Sequence, residues 1–383
     1  MKIGVPKETA PGENRVALTP DGVKELVGKG LTVCVESHAG AAAHFPDDAY
    51  VQVGAAIVAS RQDVITSSDA IVQVTGPLDS NPDSLTYQQG SILVSFLFPT
   101  SNPRSLEFLR GQKVTTFAME LVPRISRAQS MDALSSMSTI AGYKAALLAA
   151  ESLPKFFPML MTAAGTLPPA RVLIIGAGVA GLQAIATCKR LGAIVEAFDV
   201  RPAVKEQIES LGGKFIGLSL LSEEAEDAGG YAKEVSGDTH SRELDLIASR
   251  LPHIDCLITT ALVPGKQAPT LVTEKMVASM KPGSVIVDLA AMNGGNCEST
   301  VAGETVTSHG VTVIGRTDLV TSMAHDASKM YSKNISTFLG SLIQDGSFTL
   351  DREDEIVRGT LVTYDGEIVH DVVRLAVERG GKP

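Results

Sequence analysis

The stretch RVLIIGAGVAGL at 171–182 constrains this chain more than any other. Residues 172–175 are an apolar run of the kind that forms a buried strand, and Gly176, Gly178 and Gly181 follow at the spacing G-x-G-x-x-G. In such a turn the first glycine permits the bend, the second lets a pyrophosphate approach the backbone, and the third lets helix pack on strand. Free N–H groups and the positive dipole end at the start of the following helix favour phosphate. A glycine spacing alone is weak, because plain α/β cores also contain such turns, but here the flanks agree. Residues 182–191 have helical character, Gly192 ends that helix, and 194–198 read as a second strand with Asp199 at its end. An acidic residue about 20 positions beyond the glycines is where a ribose 2′-hydroxyl is held. The stretch therefore predicts a dinucleotide-binding unit.

The remainder of the chain must be compatible with that unit. At 383 residues it exceeds one ordinary domain, and at roughly 100–200 residues per domain it should hold two. With 44% apolar and 20% charged residues it can bury large cores. A formal net charge of −10 argues against nucleic acid and against an anionic membrane surface. The four cysteines, Cys34, Cys188, Cys256 and Cys297, form no C-x-x-C pair, so no metal site or disulfide framework is indicated and a reducing compartment fits best. The first residues start a strand and lack a signal-peptide core. No run of about 18 apolar residues is free of glycine punctuation, so no direct membrane insertion is expected.

Strand-like runs at 2–5, 31–36, 56–58, 70–75, 90–96 and 114–118 alternate with helical stretches, which predicts a parallel sheet without a glycine turn of its own. A second series follows at 172–175, 194–198, 214–216, 255–261, 284–289 and 311–314. Between the two series lie a polar loop at 120–132, a long helix predicted over 138–152, and a lead-in over 159–169. Residues 324–343 read as a helix returning to the first domain, and 355–369 as a hairpin around Asp365 and Gly366. The expected fold class is α/β: two Rossmann-like doubly wound parallel-sheet domains with a cleft between them. Their expected extents are 1–137 plus 326–383 for the N-terminal domain completed by the C-terminal segment, and 138–325 for the nucleotide-binding domain.

Several stretches together resemble the soluble NAD(H)-binding component of proton-translocating nicotinamide nucleotide transhydrogenase, in the alanine dehydrogenase/transhydrogenase family. They are PKE at 6–8, ENRVA at 13–17, MELVPRISRAQSMD at 119–132, MTAAGT at 161–166, the glycine turn, GGYAKE at 229–234, TTALVPGK at 259–266, DLA at 288–290 and GGNC at 294–297. The resemblance spans nearly the whole chain, and the loop at 123–132 is its most specific part, since alanine dehydrogenases share the fold but not that loop. It implies that Arg124, Ile125, Ser126, Gln129, Asp132 and Ser135 surround the nicotinamide end of NAD(H), with Arg124, Gln129 and Asp132 nearest the chemistry. It further implies Gly176, Gly178, Val179 and Gly181 at the pyrophosphate, Asp199, Val200 and Arg201 at the adenosine ribose, Gly230 and Tyr231 in a mobile closing loop, and Leu262 lining the site. The activity it implies is Re/Si-specific hydride transfer between NADH and NADP⁺, the latter held on a separate NADP(H)-binding component. A membrane component couples that transfer to proton translocation. The chain would then be one subunit, or one domain, of a larger assembly. A homodimer, and a place on the cytoplasmic side of the membrane through partner subunits (the matrix side if mitochondrial), are implied likewise.

Hydride transfer between two nicotinamides moves no proton at the reacting carbons. It needs ring positioning at about 3–3.5 Å, for which amide, carboxylate and guanidinium groups suffice. An alanine dehydrogenase is the competing reading and needs a proton-handling group and a cation for a carboxylate. Arg15 matches that family's carboxylate-binding arginine, but its lysine falls at Thr75 and its histidine near Phe98. A non-catalytic NAD(H)-sensing module is the third reading, and the intact loop from Arg124 to Asp132 argues against it.

Overall fold

Two parallel sheets, one in each of two units, account for nearly all of the strands. A computed structural model of the chain describes residues 1–77, 85–217, 237–262, 267–344 and 346–378, the backbone alone for 237–240. The first unit is Met1–Met137 with Val320–Pro383, and the second is Ser138–Leu319.

In the first unit, β1 (Lys2–Val5), β2 (Thr32–Glu36), β3 (Ala56–Val58), β4 (Ala70–Thr75), β5 (Ile92–Phe96) and β6 (Thr115–Ala118) stand in the order β3-β2-β1-β4-β5-β6, all parallel. The antiparallel pair Leu361–Tyr364 and Glu367–Ile368 extends the β6 edge. Strand β5 is buried along its whole length and β4 along all but its last residue, as expected of a parallel sheet covered on both faces. Helix Ala324–Leu342 belongs to this unit: the Tyr331 hydroxyl donates to the Gln73 carbonyl at 2.8 Å, and Phe338 packs edge-on to Phe117.

The second unit repeats the plan. A short antiparallel pair, β7 (Leu160–Thr162) and β8 (Gly165–Leu167), stands apart from the main sheet. Then β9 (Arg171–Ile175), β10 (Ile194–Phe198), β11 (Lys214–Ile216), β12 (Cys256–Thr259), β13 (Val285–Asp288), β14 (Thr305–Ser308) and β15 (Val311–Ile314) form a sheet in the order β11-β10-β9-β12-β13-β15-β14, with only β14 antiparallel. Successive side chains of a strand point to opposite faces. Val172 and Ile174 therefore join one core with Ala184, Ile185 and Cys188, while Leu173 and Ile175 join another with Ile247 and Leu257. Both sheets reverse their strand order, at β1/β4 and at β9/β12, and ligands in open α/β sheets bind beside such reversals at the C-terminal strand ends.

Four local expectations change. The long helix is Ala133–Ser152, starting before 138, because Asp132 accepts hydrogen bonds from Ser135 and serves as its cap. The lead-in at 159–169 is the β7–β8 hairpin, and Thr305–Ser308 is a strand the sequence did not announce. The tail begins with helix Glu355–Thr360, capped by the Asp354 carboxylate, before the hairpin turns at Asp365 and Gly366. Among the described residues no helix is long and apolar enough to cross a membrane. All four cysteines are buried and unbridged.

Candidate functional site

The three glycines of the turn after β9 are there for three different reasons. Gly176 has φ +92°, and a Cβ on it would lie 2.6 Å from the Thr260 hydroxyl oxygen. A Cβ on Gly181 would lie 1.9 Å from the Gly176 carbonyl oxygen, so helix Val179–Arg190 can approach β9 only with glycine there. A Cβ on Gly178 would meet nothing within 4 Å. Gly178 is the N-cap of that helix and has no side chain to satisfy the first N–H groups, while Val179 beside it is 39% exposed. The turn thus presents open space and unsatisfied amide donors at the positive end of a 12-residue helix, a donor set that fits a pyrophosphate.

Asp199 ends β10 and is 5% exposed. Its Oδ2 accepts from the Ala177 N–H at 2.6 Å and from the Arg201 guanidinium at 2.9 Å. Its Oδ1 accepts from the Arg201 N–H and Nε–H, both at 2.9 Å. These contacts use the roughly four acceptor positions of an ionised carboxylate. Asp199 therefore ties the strand end to the glycine turn, and a ribose diol would have to share it with Arg201. Val200 is half-buried and Leu262 is 40% exposed. Gly230 and Tyr231 lie outside the described residues.

Sequence reasoning passed over the frame of this edge. Thr260 donates its hydroxyl to the Gly176 carbonyl at 3.0 Å. Asn296, fully buried, accepts from the Ala261 N–H at 3.0 Å and donates to the Ala261 and Pro269 carbonyls. Asp288, also fully buried, accepts from the N–H groups of Ala290, Asn296 and Cys297 and from the hydroxyls of Thr259 and Thr300. The only sequence signal for these residues is that DLA and GGN fall just after strands.

In the first unit, the polar loop folds as a 3-10 helix over Ser126–Met131. Ala128 and Met131 are buried beneath it, and the Ser130 carbonyl accepts from the Asn334 side chain at 2.9 Å. Arg127 forks onto Asp354 at 2.7 and 3.0 Å. Asp132 accepts from the Ser135 N–H at 2.8 Å and its hydroxyl at 2.6 Å, so these two predicted residues meet each other. Arg124, Ser126 and Gln129 are exposed on the same loop and Ile125 is half-buried. The predicted residues thus form two groups: this loop, and the C-terminal sheet edge of the second unit.

The groups of the competing reading lie near the strand ends of the first unit. The Arg15 Nε donates to Glu13 at 2.7 Å, and its guanidinium forks onto the same carboxylate. Thr75 reaches Glu13 with its hydroxyl at 3.5 Å and Glu8 with its N–H at 3.2 Å. Burial pushes Glu8 up to about 7, against the lowering effect of the Val74 and Thr75 N–H groups. Burial likewise pushes Glu120 up to about 7, where it accepts from the N–H groups of Leu97 and Phe98. Phe98 has φ +44°, uncommon for a bulky side chain, and its ring stacks on Phe96. Among the described residues no cluster of three or more His, Cys, Asp or Glu side chains could hold a metal ion.

Two family descriptions match in succession: alanine dehydrogenase/PNT, N-terminal domain, over residues 4–141, and alanine dehydrogenase/PNT, C-terminal domain, over residues 145–371. The chain belongs to the alanine dehydrogenase/PNT family. Within it, an NAD(P) transhydrogenase subunit alpha chain of Rhodospirillum rubrum is 49% identical over 376 residues, covering 97% of this chain and 98% of that one. The crystal structure of transhydrogenase from Sinorhizobium meliloti superposes with a TM-score of 0.87 at 41% identity, covering 96% of this chain and all of that one. An L-alanine dehydrogenase structure gives a TM-score of 0.82 at 27% identity over 99% of each chain. This alanine dehydrogenase/PNT member is therefore a homologue of transhydrogenase alpha subunits, and the doubly wound α/β plan is common to both branches.

Proposed function

We propose that this chain is the NAD(H)-binding component of a Re/Si-specific, proton-translocating NAD(P) transhydrogenase. The observation that carries the choice over an alanine dehydrogenase is the engagement of Arg15 by Glu13, with Thr75 and Phe98 beside them offering no proton carrier. A site built that way neither receives a free carboxylate substrate nor handles its proton. The similarity over nearly the full length of a transhydrogenase alpha-subunit chain supports the same reading.

Bound NADH supplies the hydride, and NADP⁺ on a partner component receives it. This chain's residues bind and orient. The amides at Gly178 and Val179 hold the pyrophosphate, with Gly176 and Gly181 setting the turn. Asp199, with Val200 and Arg201, holds the adenosine ribose, and Leu262 flanks it. Arg124, Ile125, Ser126, Gln129, Asp132 and Ser135 position the nicotinamide end. Gly230 and Tyr231 are assigned to closure by resemblance alone. A membrane component couples transfer to proton movement, and through such partners the chain sits at the cytoplasmic face, or the matrix face in a mitochondrion. We assign it a homodimeric state, supported by the exposed apolar hairpin β7–β8.

Gln129 provides the test. It carries no ionisable group and is exposed, so its role is geometric. Gln129→Asn should leave NADH affinity near normal, since the glycine turn and Asp199 remain. Transfer to an NADP⁺ analogue on an added NADP-binding component should fall on the order of 100-fold, the cost of a misplacement of about 1 Å. Stopped-flow transfer beside NADH titration decides the matter, and an unchanged rate would refute the role. A sensing module would show no transfer in the unmutated protein, and an alanine dehydrogenase would show pyruvate- and ammonium-dependent NADH oxidation.

A further inference from the structure

At the opposite edge of the second unit's sheet lies a cavity of about 250 Å³, lined by Arg171, Glu196, Arg250, His253, Ile254 and Lys281. Arg171 opens β9, whereas the glycine turn follows that strand's last residue. At about 3.3 Å per residue the two are on the order of 15 Å apart, so the cavity is separate from the candidate nucleotide site.

The cavity's cations exceed its anions. Arg171, Arg250 and Lys281 face a single lining carboxylate, Glu196, in a chain whose formal net charge is −10. Glu196 is 4% exposed and lies 3.4 Å from one guanidinium and 3.8 Å from the other. Each guanidinium carries five N–H donors. The Nε atoms of both Arg171 and Arg250 are buried with no hydrogen-bond partner among the described residues. Asp255 beside the cavity brings no relief. Its carboxylate already accepts from Lys155 at 2.7 Å, from the Arg171 N–H at 2.9 Å and from Lys281 at 3.1 Å. An ion-pair network that served only the fold would match donors to acceptors, because an unpartnered buried donor costs stability. Here the donors are left over and converge on a space.

A small multivalent oxyanion would satisfy them. Guanidinium forks match the paired oxygens of phosphate groups, and a lysine adds a point charge. The volume is below the roughly 300–1,000 Å³ of sites for drug-sized ligands, which favours an inorganic-phosphate- or diphosphate-sized anion over a whole nucleotide. We propose that this cavity, formed by Arg171, Arg250 and Lys281 at the N-terminal edge of the sheet, is a second, non-nucleotide site for a phosphate-class oxyanion. Its occupancy ties the end of helix Gly237–Arg250 to the start of β9 and to the turn before β13, and so stabilises the second unit.

Inorganic pyrophosphate is the probe, added to the full chain saturated with NADH, with chloride holding ionic strength constant. The proposal expects a saturable rise in melting temperature and a calorimetric binding isotherm. In Arg250→Gln, half-saturation should need about tenfold more pyrophosphate, the loss of a charge-assisted contact, with NADH affinity unchanged. Lys281→Gln should behave alike and covers the case in which Arg250→Gln folds poorly. No saturable effect at matched ionic strength, or an equal effect in both variants, overturns the proposal. An effect seen only without NADH assigns the anion to the glycine turn and overturns it too. The comparison with Arg250→Gln stands whether or not the transhydrogenase reading holds.

Discussion

At the residue scale, the Asp199–Arg201 fork sets cofactor choice. A buried carboxylate accepting at both oxygens should favour ribose hydroxyls and repel a 2′-phosphate, so NADH should bind far better than NADPH. Arg201 pulls the other way, since arginine can accommodate that phosphate. Asp199→Ala should therefore narrow the NADH preference by about tenfold or more, leaving Arg201 to face the phosphate. Calorimetry with both nucleotides checks this, and equal affinities in the parent chain would sink it. The motif pointed to Asp199, but nothing in a two-residue spacing announces that Arg201 folds back on it. Glu8 yields a second prediction. Its folded pKa of about 7 exceeds the ordinary 4.5, so the folded state holds this proton more tightly than the unfolded chain. The resulting stability is fully present at acid pH and is lost as pH rises through about 7. Glu8→Gln removes that dependence, at the constant cost of one of the two N–H contacts from Val74 and Thr75. The melting temperature of the variant relative to the parent should thus climb between about pH 5 and pH 8. A difference that stays flat across that range would contradict the burial argument.

At the scale of elements, the glycine turn separates folding from binding within four residues. Gly181→Ala would place a methyl 1.9 Å from a backbone oxygen, so helix and strand must part and both stability and NADH binding should fall. Gly178→Ala meets no atom and its backbone, at φ −73° and ψ −170°, suits alanine. Stability there should change by no more than about 0.5 kcal/mol, while NADH binding weakens markedly because the methyl occupies the pyrophosphate's approach. Thermal melts beside NADH titrations would show the split, and a Gly178→Ala protein that binds normally would count against the assigned phosphate position. The turn was legible because backbone geometry demands glycine at fixed offsets. The main strands were legible because burial on both faces makes them continuous apolar runs. Helix Glu355–Thr360 was not, since one turn and a half carries too little periodicity and its Asp354 cap also reads as a surface charge. Nor were Thr260, Asn296 and Asp288, whose task depends on strands that are neighbours in space and distant in sequence.

At the scale of the whole molecule, the β7–β8 hairpin should be covered by a second copy of the chain. It is a two-stranded sheet joined to neither large sheet, and such hairpins are at best marginally stable alone in water. Its flanks and strands expose Phe156 at 56%, Met159 at 57%, Met161 at 77% and Leu167 at 44%. Four large apolar side chains within 12 positions are more than a solvated turn needs, and clustered exposed apolar surface marks an interaction site. The sequence had read the segment only as a lead-in to β9, because its alternation is blurred by the Ala-Ala-Gly turn and its side chains face no core of their own unit. A two-fold dimer presents the same patch on both partners, so one substitution is felt twice. Met161→Glu should therefore convert the dimer to monomer at micromolar concentration, measured by light scattering coupled to gel filtration. The second unit should remain folded, since Met161 contributes to neither of its cores. NADH should still bind, because the glycine turn and Asp199 lie within a single chain. A parent chain that runs as a monomer, or a Met161→Glu protein that remains dimeric, would show that the hairpin is not the dimer contact.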